Sequence, residues 1–171
     1  RYDDALARYD AATNMSPNTS SLWVSKAQMY MNLSRYNEAA KSYDRALMLN
    51  RSDASSWQAL GDLLRLSKRY AEAAVSYGQL NALVPDDFMN QKVEADLLFR
   101  SMKYDLAAQK YTDLLSKHPL DSDLMIELSR VYNSLGKYQE SINITKQVLE
   151  SDNNSARAWS NLGFSYANLG D

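Results

Sequence analysis

Apolar and small residues recur at intervals of three and four along nearly the whole chain, which is the spacing of one face of an α-helix. One such stretch contains Tyr36, Ala39, Ala40, Tyr43, Ala46 and Leu47. The pattern predicts ten helices, at roughly 2–14, 20–33, 36–50, 54–67, 70–83, 87–101, 104–117, 121–135, 138–151 and 155–169. We expect N-caps at Asp53, Asp87, Asp121 and Ser155, because each precedes a helix and carries a side-chain oxygen.

A constant period runs through the sequence. It is clearest in five evenly spaced tyrosines, Tyr2, Tyr36, Tyr70, Tyr104 and Tyr138. Small residues keep the same period in two columns, one made of Ala5, Ala39, Ala73, Ala107 and Ser141 and the other of Ala27, Gly61, Ala95, Ser129 and Gly163. Two helices approach closely only where neither carries bulk. The sequence therefore predicts stacked copies of one helix pair, with large residues packed on small ones.

One copy carries a recognisable set of residues at fixed spacing: Trp57, Leu60, Gly61, Leu64, Tyr70, Ala73, Tyr77, Leu80 and Pro85. In these positions the sequence resembles the tetratricopeptide repeat (TPR) family, whose unit is a 34-residue helix–turn–helix. The resemblance covers the whole chain. It implies an all-α fold, a right-handed superhelical α-solenoid of stacked antiparallel helix pairs.

The phase of the repeats predicts a single array over residues 1–171. Residues 1–19 would be the second helix of a truncated repeat, and residues 156–171 the first helix of another. Four full repeats would lie between them, at 20–53, 54–87, 88–121 and 122–155. We expect the chain to be a segment of a longer protein, and we expect its exposed terminal helices to permit end-to-end self-association.

Composition narrows the classes of function. Hydrophobic residues make up 45% of the chain, and the formal net charge is −2. A net charge near zero without a basic cluster argues against nucleic-acid binding. The sequence contains no run of 18 apolar residues, so we expect no helix inserted in a membrane. The chain has no cysteine, which fits a reducing compartment, so we expect a cytoplasmic (intracellular) protein.

Catalytic and metal-binding patterns are missing from the sequence. The one histidine, His118, directly precedes Pro119 in a predicted loop, and the five glycines form no phosphate-binding motif. Carboxylates alone suit zinc poorly. We expect no enzymatic activity, no cofactor and no metal.

The resemblance also implies a binding surface. In the TPR family the first helix of each repeat lines a concave groove that receives a peptide or a segment of a partner protein. The positions that this implies here are Gln28, Met31, Asn32, Gln58, Asp62, Arg65, Leu66, Lys92, Asp96, Phe99, Arg100, Ile126, Arg130, Asn133, Arg157, Asn161, Phe164 and Asn168. A carboxylate clamp is not expected, because the acidic Asp96 next to Lys92 would repel a carboxylate and Glu127 stands where the clamp of that family has asparagine.

Three functions remain open from the sequence. The first is a non-catalytic protein–protein interaction scaffold that binds a peptide in this groove. The second is a targeting or regulatory arm of a larger multidomain enzyme, and the third is a self-assembling solenoid. The identity of a partner is not readable from these residues.

Overall fold

Ten α-helices make up the computed structural model, which describes residues 2–170. They are α1 (Tyr2–Met15), α2 (Ser20–Asn32), α3 (Tyr36–Leu49), α4 (Ala54–Leu66), α5 (Tyr70–Leu83), α6 (Phe88–Arg100), α7 (Tyr104–Lys117), α8 (Ser122–Ser134), α9 (Tyr138–Ser151) and α10 (Ala156–Leu169). The described residues contain no strand. The predicted all-α solenoid of ten helices is therefore confirmed.

The helices group into two compact units. Unit 1 ends at Asn90 and unit 2 begins at Gln91, so the division falls within α6. In unit 1, each of the helices α1 to α5 packs against its neighbour in the chain. In unit 2, α7 packs on α8, α8 on α9 and α9 on α10, and α8 also contacts α10. No helix in the part of the chain described by the structure is both long and apolar enough to cross a membrane.

The predicted N-caps are confirmed at all four positions. The side chains of Asp53, Asp87, Asp121 and Ser155 each accept a hydrogen bond from the backbone N–H three residues later, at 3.2, 2.9, 2.9 and 3.4 Å respectively. Each bond satisfies a donor that the first turn of a helix leaves without a partner. These caps fix where the first helix of a repeat begins.

The small-residue columns form the closest helix contacts. Ala27 and Ala95 of one column and Ala39, Ala73 and Ala107 of the other have no exposed surface. Their lack of bulk lets the tyrosine of the following helix lie directly over the preceding one, as Tyr77 does over Gly61. This packing positions the first helix of each repeat, and the candidate groove residues lie on those helices.

The turns within the repeats share one backbone conformation. Ser34, Lys68, Met102 and Gly136 occupy the same position in consecutive repeats, and their φ angles are 56°, 59°, 62° and 71°. Left-handed backbone is open to glycine without a steric penalty, whereas a side chain meets the backbone there. Only one of the four turns therefore has the residue that this conformation favours.

Replacing Met102 with glycine is expected to raise the free energy of unfolding by about 1 kcal/mol, because it removes left-handed strain at an exposed side chain. Urea unfolding followed by circular dichroism measures the change. Gly136→Ala is the reciprocal control and should lower the stability by a similar amount. A stability loss in Met102→Gly would show that the methionine side chain contributes more than the strain costs.

Candidate functional site

An arginine of α8 lies at the centre of the exposed surface formed by the first helices of unit 2. The guanidinium of Arg130 lies over the ring of Phe99, 4.2 Å from its centroid. Its Nη2 is 2.5 Å from Oε2 of Glu127, three residues earlier on the same helix. Stacking and ion pairing together hold the planar guanidinium in one orientation, while 43% of the side chain remains exposed.

Glu127 links this arginine to α10. Its Oε1 contacts Nη2 of Arg157, whose Nη1 is 3.2 Å from Oδ1 of Asp123. The side chain of Glu127 is only 11% exposed, whereas that of Arg157 is 56% exposed. The mostly buried carboxylate therefore aligns two arginines whose outer edges face solvent. We call this set, Phe99, Glu127, Arg130 and Arg157, the arginine cluster.

Two open cavities flank the arginine cluster. One has a volume of about 270 Å³ and is lined by Ile126, Arg130, Ala156, Arg157, Ser160 and Asn161. The other has a volume of about 260 Å³ and is lined by Arg130, Asn133, Ser134, Ser160, Asn161 and Phe164. Arg130, Ser160 and Asn161 are common to both, so the cavities are neighbours. Each is wide enough for a side chain, and the exposed ring of Phe164 adds apolar surface to the second.

Asn133 and Asn161 hold α8 and α10 together. The side-chain amide of Asn161 donates to the carbonyl of Ile126 at 3.1 Å and to Oγ of Ser129 at 2.7 Å. That of Asn133 donates to the carbonyl of Asn161 at 3.1 Å. The resemblance places both residues in a ligand-binding groove, and in this structure their amide groups serve contacts between repeats.

Ile126, which was predicted to line the groove, is mostly buried in the core. It is 6% exposed and belongs to a core cluster with Val148 and Ala158. It still forms part of a cavity wall. The periodicity contains no signal for this, because the same helix position can face the groove or the next helix depending on the neighbouring side chains.

Two aspartates in the predicted groove accept hydrogen bonds from tyrosines of their own repeats. The hydroxyl of Tyr77 donates to Asp62 at 2.9 Å, and the hydroxyl of Tyr111 donates to Asp96. Burial, together with these carboxylates, raises the pKa of Tyr77 to about 12 and raises that of Tyr111 further. Both tyrosines are therefore neutral donors at physiological pH, and they orient Asp62 and Asp96.

The remaining predicted residues lie on the surfaces of their helices. In unit 1, Met31 and Asp62 are half-buried, and the exposed positions are Gln28, Asn32, Gln58, Arg65 and Leu66. Asp62 also pairs with Arg65 at 3.0 Å. In unit 2, Lys92 and Phe99 are half-buried, whereas Arg100 and Asn168 are exposed.

Sequence reasoning considered Glu127 only as a departure from the carboxylate clamp, and it missed Asp123 and Ser160. A usable signal was present for Asp123, since Asp123 and Arg157 stand one repeat apart and carry opposite charges. Equivalent residues of consecutive repeats are neighbours in a stack. Nothing marks Ser160 before the cavities are known. In the described part of the chain, no cluster of three or more histidine and carboxylate side chains is arranged to hold a metal ion.

Helix pairs that recur at a constant interval, capped alike and packed through small residues, define a helical repeat protein. Family models described as tetratricopeptide repeat match residues 1–56, 24–87 and 98–163. The chain belongs to the tetratricopeptide repeat family. A comparison with curated protein sequences finds no match.

Several solved structures have a similar fold. YrrB, described as a TPR protein with an unusual peptide-binding site, is 18% identical with a TM-score of 0.66 over 95% of this chain and 84% of its own. MamA from Desulfovibrio magneticus RS-1 is 18% identical with a TM-score of 0.67, over 89% of this chain and 86% of its own. A chain of the Naa15/Naa10 complex bound to HypK-THB is 20% identical with a TM-score of 0.71, over 99% of this chain and 27% of its own.

Proposed function

We propose that the protein is a non-catalytic interaction scaffold that binds a peptide or a segment of a partner protein along the first helices of its repeats. The observation that carries this proposal is the arginine cluster of unit 2 with its two adjoining cavities. A cytoplasmic location is part of the same proposal, and the cysteine-free sequence fits a reducing compartment.

The arginine cluster has the properties of a binding anchor. Arginine and aromatic residues are enriched among the positions that dominate binding energy at protein interfaces. Arg130 is held in advance by Phe99 and Glu127, so binding would cost little further side-chain entropy. Its exposed edge can donate to a peptide carbonyl or to a carboxylate. The local acids Glu127 and Asp123 balance the two arginines, which favours a polar acceptor over a dense acidic patch.

The cavities supply the second element of recognition. They lie on either side of Arg130, so an extended segment could donate one side chain to each while its backbone accepts from the guanidinium. Ile126 and Phe164 give these cavities apolar walls, and Ser160 and Asn161 give them polar ones. The similarity in fold to YrrB, which is described as having a peptide-binding site, supports this kind of ligand.

The proposal is tested by removing the anchor. Peptides that bind the protein are first selected from a synthetic array, and their affinities are then measured by fluorescence anisotropy. We expect Arg130→Ala to weaken binding about tenfold or more, as for an interface anchor, with little change in the melting temperature, since the side chain is partly exposed.

Arg35 provides a matched control in unit 1. Its guanidinium stacks on Tyr30 at 4.9 Å and pairs with Glu38 at 2.7 Å, and its side chain is 46% exposed. It lies in the turn before α3, outside the proposed groove. Arg35→Ala should leave peptide affinity within about twofold, in line with other surface changes. Equal losses in both variants, or unchanged affinity in Arg130→Ala, would rule out the arginine cluster as the anchor.

A further inference from the structure

A second surface lies in unit 1, between the second helices of two consecutive repeats. An open cavity of about 300 Å³ is formed there by α3 and α5, with the ring of Trp57 from α4 beside it. Its apolar lining includes Leu47, Met48 and Val75. Met48 and Val75 are 68% and 57% exposed, so they form an apolar surface without a covering layer among the described residues. We call this surface the Met48 groove.

The repeats themselves show that the fold does not require apolar residues here. The other copies carry Asn14, Ala82, Ser116 and Glu150 in the column of Met48. In the column of Val75 they carry Ala7, Lys41, Gln109 and Asn143. Because small or polar residues fill the same helix positions elsewhere in the array, the exposed methionine and valine are not explained by packing.

One carboxylate borders the Met48 groove and has no partner. Asp44 lines the cavity, and its carboxylate forms no salt bridge or side-chain hydrogen bond with another described residue. Arg69, a cation that acts on this carboxylate, is already bound by Glu72 through two contacts of 2.8 and 2.6 Å. Desolvation by the neighbouring side chains raises the pKa of the Asp44 carboxyl, Arg69 opposes that rise and Glu72 adds to it.

Charge is arranged along the groove in a defined order. Asp44 lies on α3, and Arg51, which also lines the cavity, lies in the turn that follows this helix. The apolar side chains of Leu47 and Met48 lie between these two positions in the sequence. A cation beside Asp44 would gain an ion pair, whereas a cation beside Arg51 would be repelled.

We propose that the Met48 groove binds a protein segment in which an aliphatic or aromatic side chain stands beside a lysine or arginine. The apolar side chain packs against Met48, Val75 and Trp57, and the cation pairs with Asp44. This surface is formed mainly by the second helices α3 and α5, and Trp57 is its one lining residue from a first helix of a repeat. The protein would therefore have two separate docking surfaces, and the second does not depend on the first.

Two sets of synthetic peptides test this proposal. Both contain leucine, and the residue beside each leucine is lysine in one set and glutamate in the other. Binding is followed by nuclear magnetic resonance of the methyl groups of Met48 and Val75. We expect the lysine peptides to shift both methyl signals and the glutamate peptides to leave them in place. Raising the salt concentration should weaken the binding.

Substitutions can be taken from the chain's own repeats, which keeps the fold intact. Met48→Ser and Val75→Gln introduce the residues found at Ser116 and Gln109, and together they should weaken the lysine peptides about tenfold. Asp44→Asn should weaken them about threefold, as expected for a partly exposed ion pair. Met15→Ser removes another highly exposed methionine, on α1, and should change nothing.

Two results would overturn the proposal. One is that the glutamate peptides bind at the same methyl groups as well as the lysine peptides do, which would assign the charge recognition to Arg51. The other is that neither set shifts the signals of Met48 and Val75 at millimolar concentration. Arg130→Ala should leave this binding unchanged, so failure of one docking surface is distinguishable from failure of the other.

Discussion

Tyr111→Ala is expected to lower the stability of unit 2 by about 3–5 kcal/mol, the range for truncating a large aromatic side chain in a core. Tyr111 has no exposed surface and is the largest of the fully buried side chains among the described residues. Its hydroxyl donates to Asp96, so the substitution removes a hydrogen bond as well as the packing of the ring. Urea unfolding followed by circular dichroism measures the loss.

Two further variants separate these contributions. Tyr111→Phe keeps the ring and removes only the hydroxyl, and it should cost about 0.5–1.5 kcal/mol. Tyr2→Ala removes a tyrosine that is 53% exposed, and it should lower the free energy of unfolding by about 0.5 kcal/mol or less. If Tyr111→Ala and Tyr2→Ala were equally mild, the ring of Tyr111 would not be part of a packed core.

The positions of the helices could be predicted because their signals are local and repeated. Four helix starts have a capping side chain, among them Asp53 and Asp121, and most helix pairs pack through alanine, as at Ala73 and Ala107. Such signals depend on residues a few positions apart, and five copies of the period reinforce them. Every observed boundary consequently lies within one residue of its predicted position.

The candidate site was less predictable, since it depends on side chains from different helices. Glu127 bridges two arginines only because α8 and α10 pack together, and Arg157 belongs to the following repeat. In the same packing, the side-chain amide groups of Asn133 and Asn161 donate hydrogen bonds to residues of the neighbouring helix. The position of a residue in the repeat predicts which face of the helix it lies on, but it does not predict which side chains of neighbouring helices contact it.

The division into two units could not be predicted from the period of the repeats. The period of the repeats continues without a break through α6, where unit 1 ends. Yet this repeat has Gln91 and Glu94 where the family prefers tryptophan and leucine. Glu94 is buried and is neutralised by Lys110 at 3.0 Å, a contact that replaces apolar packing within unit 2. Register is set by spacing, whereas the extent of packing is set by the chemistry of single side chains.

Gly61 and Gly163 occupy the same column of the repeat, and alanine is expected to have opposite effects at the two positions. A Cβ added at Gly61 would lie 2.8 Å from two ring carbons of Tyr77, whose ring is buried and whose hydroxyl is bound to Asp62. Moving that ring costs about 1–3 kcal/mol, which exceeds the gain of about 1 kcal/mol from replacing glycine within a helix. Gly61→Ala should therefore destabilise unit 1.

A Cβ at Gly163 meets no described atom within 4 Å. Gly163→Ala should thus keep the helix-propensity gain and raise the free energy of unfolding by about 0.5–1 kcal/mol. Urea unfolding of the two variants measures both changes against the same parent. Stabilisation by both would mean that the ring of Tyr77 yields at little cost, and the close contact between the helices α4 and α5 would then not depend on glycine. Destabilisation by Gly61→Ala alone would assign that contact to the absence of a side chain, because the side chains at a helix contact set the distance between the two helices.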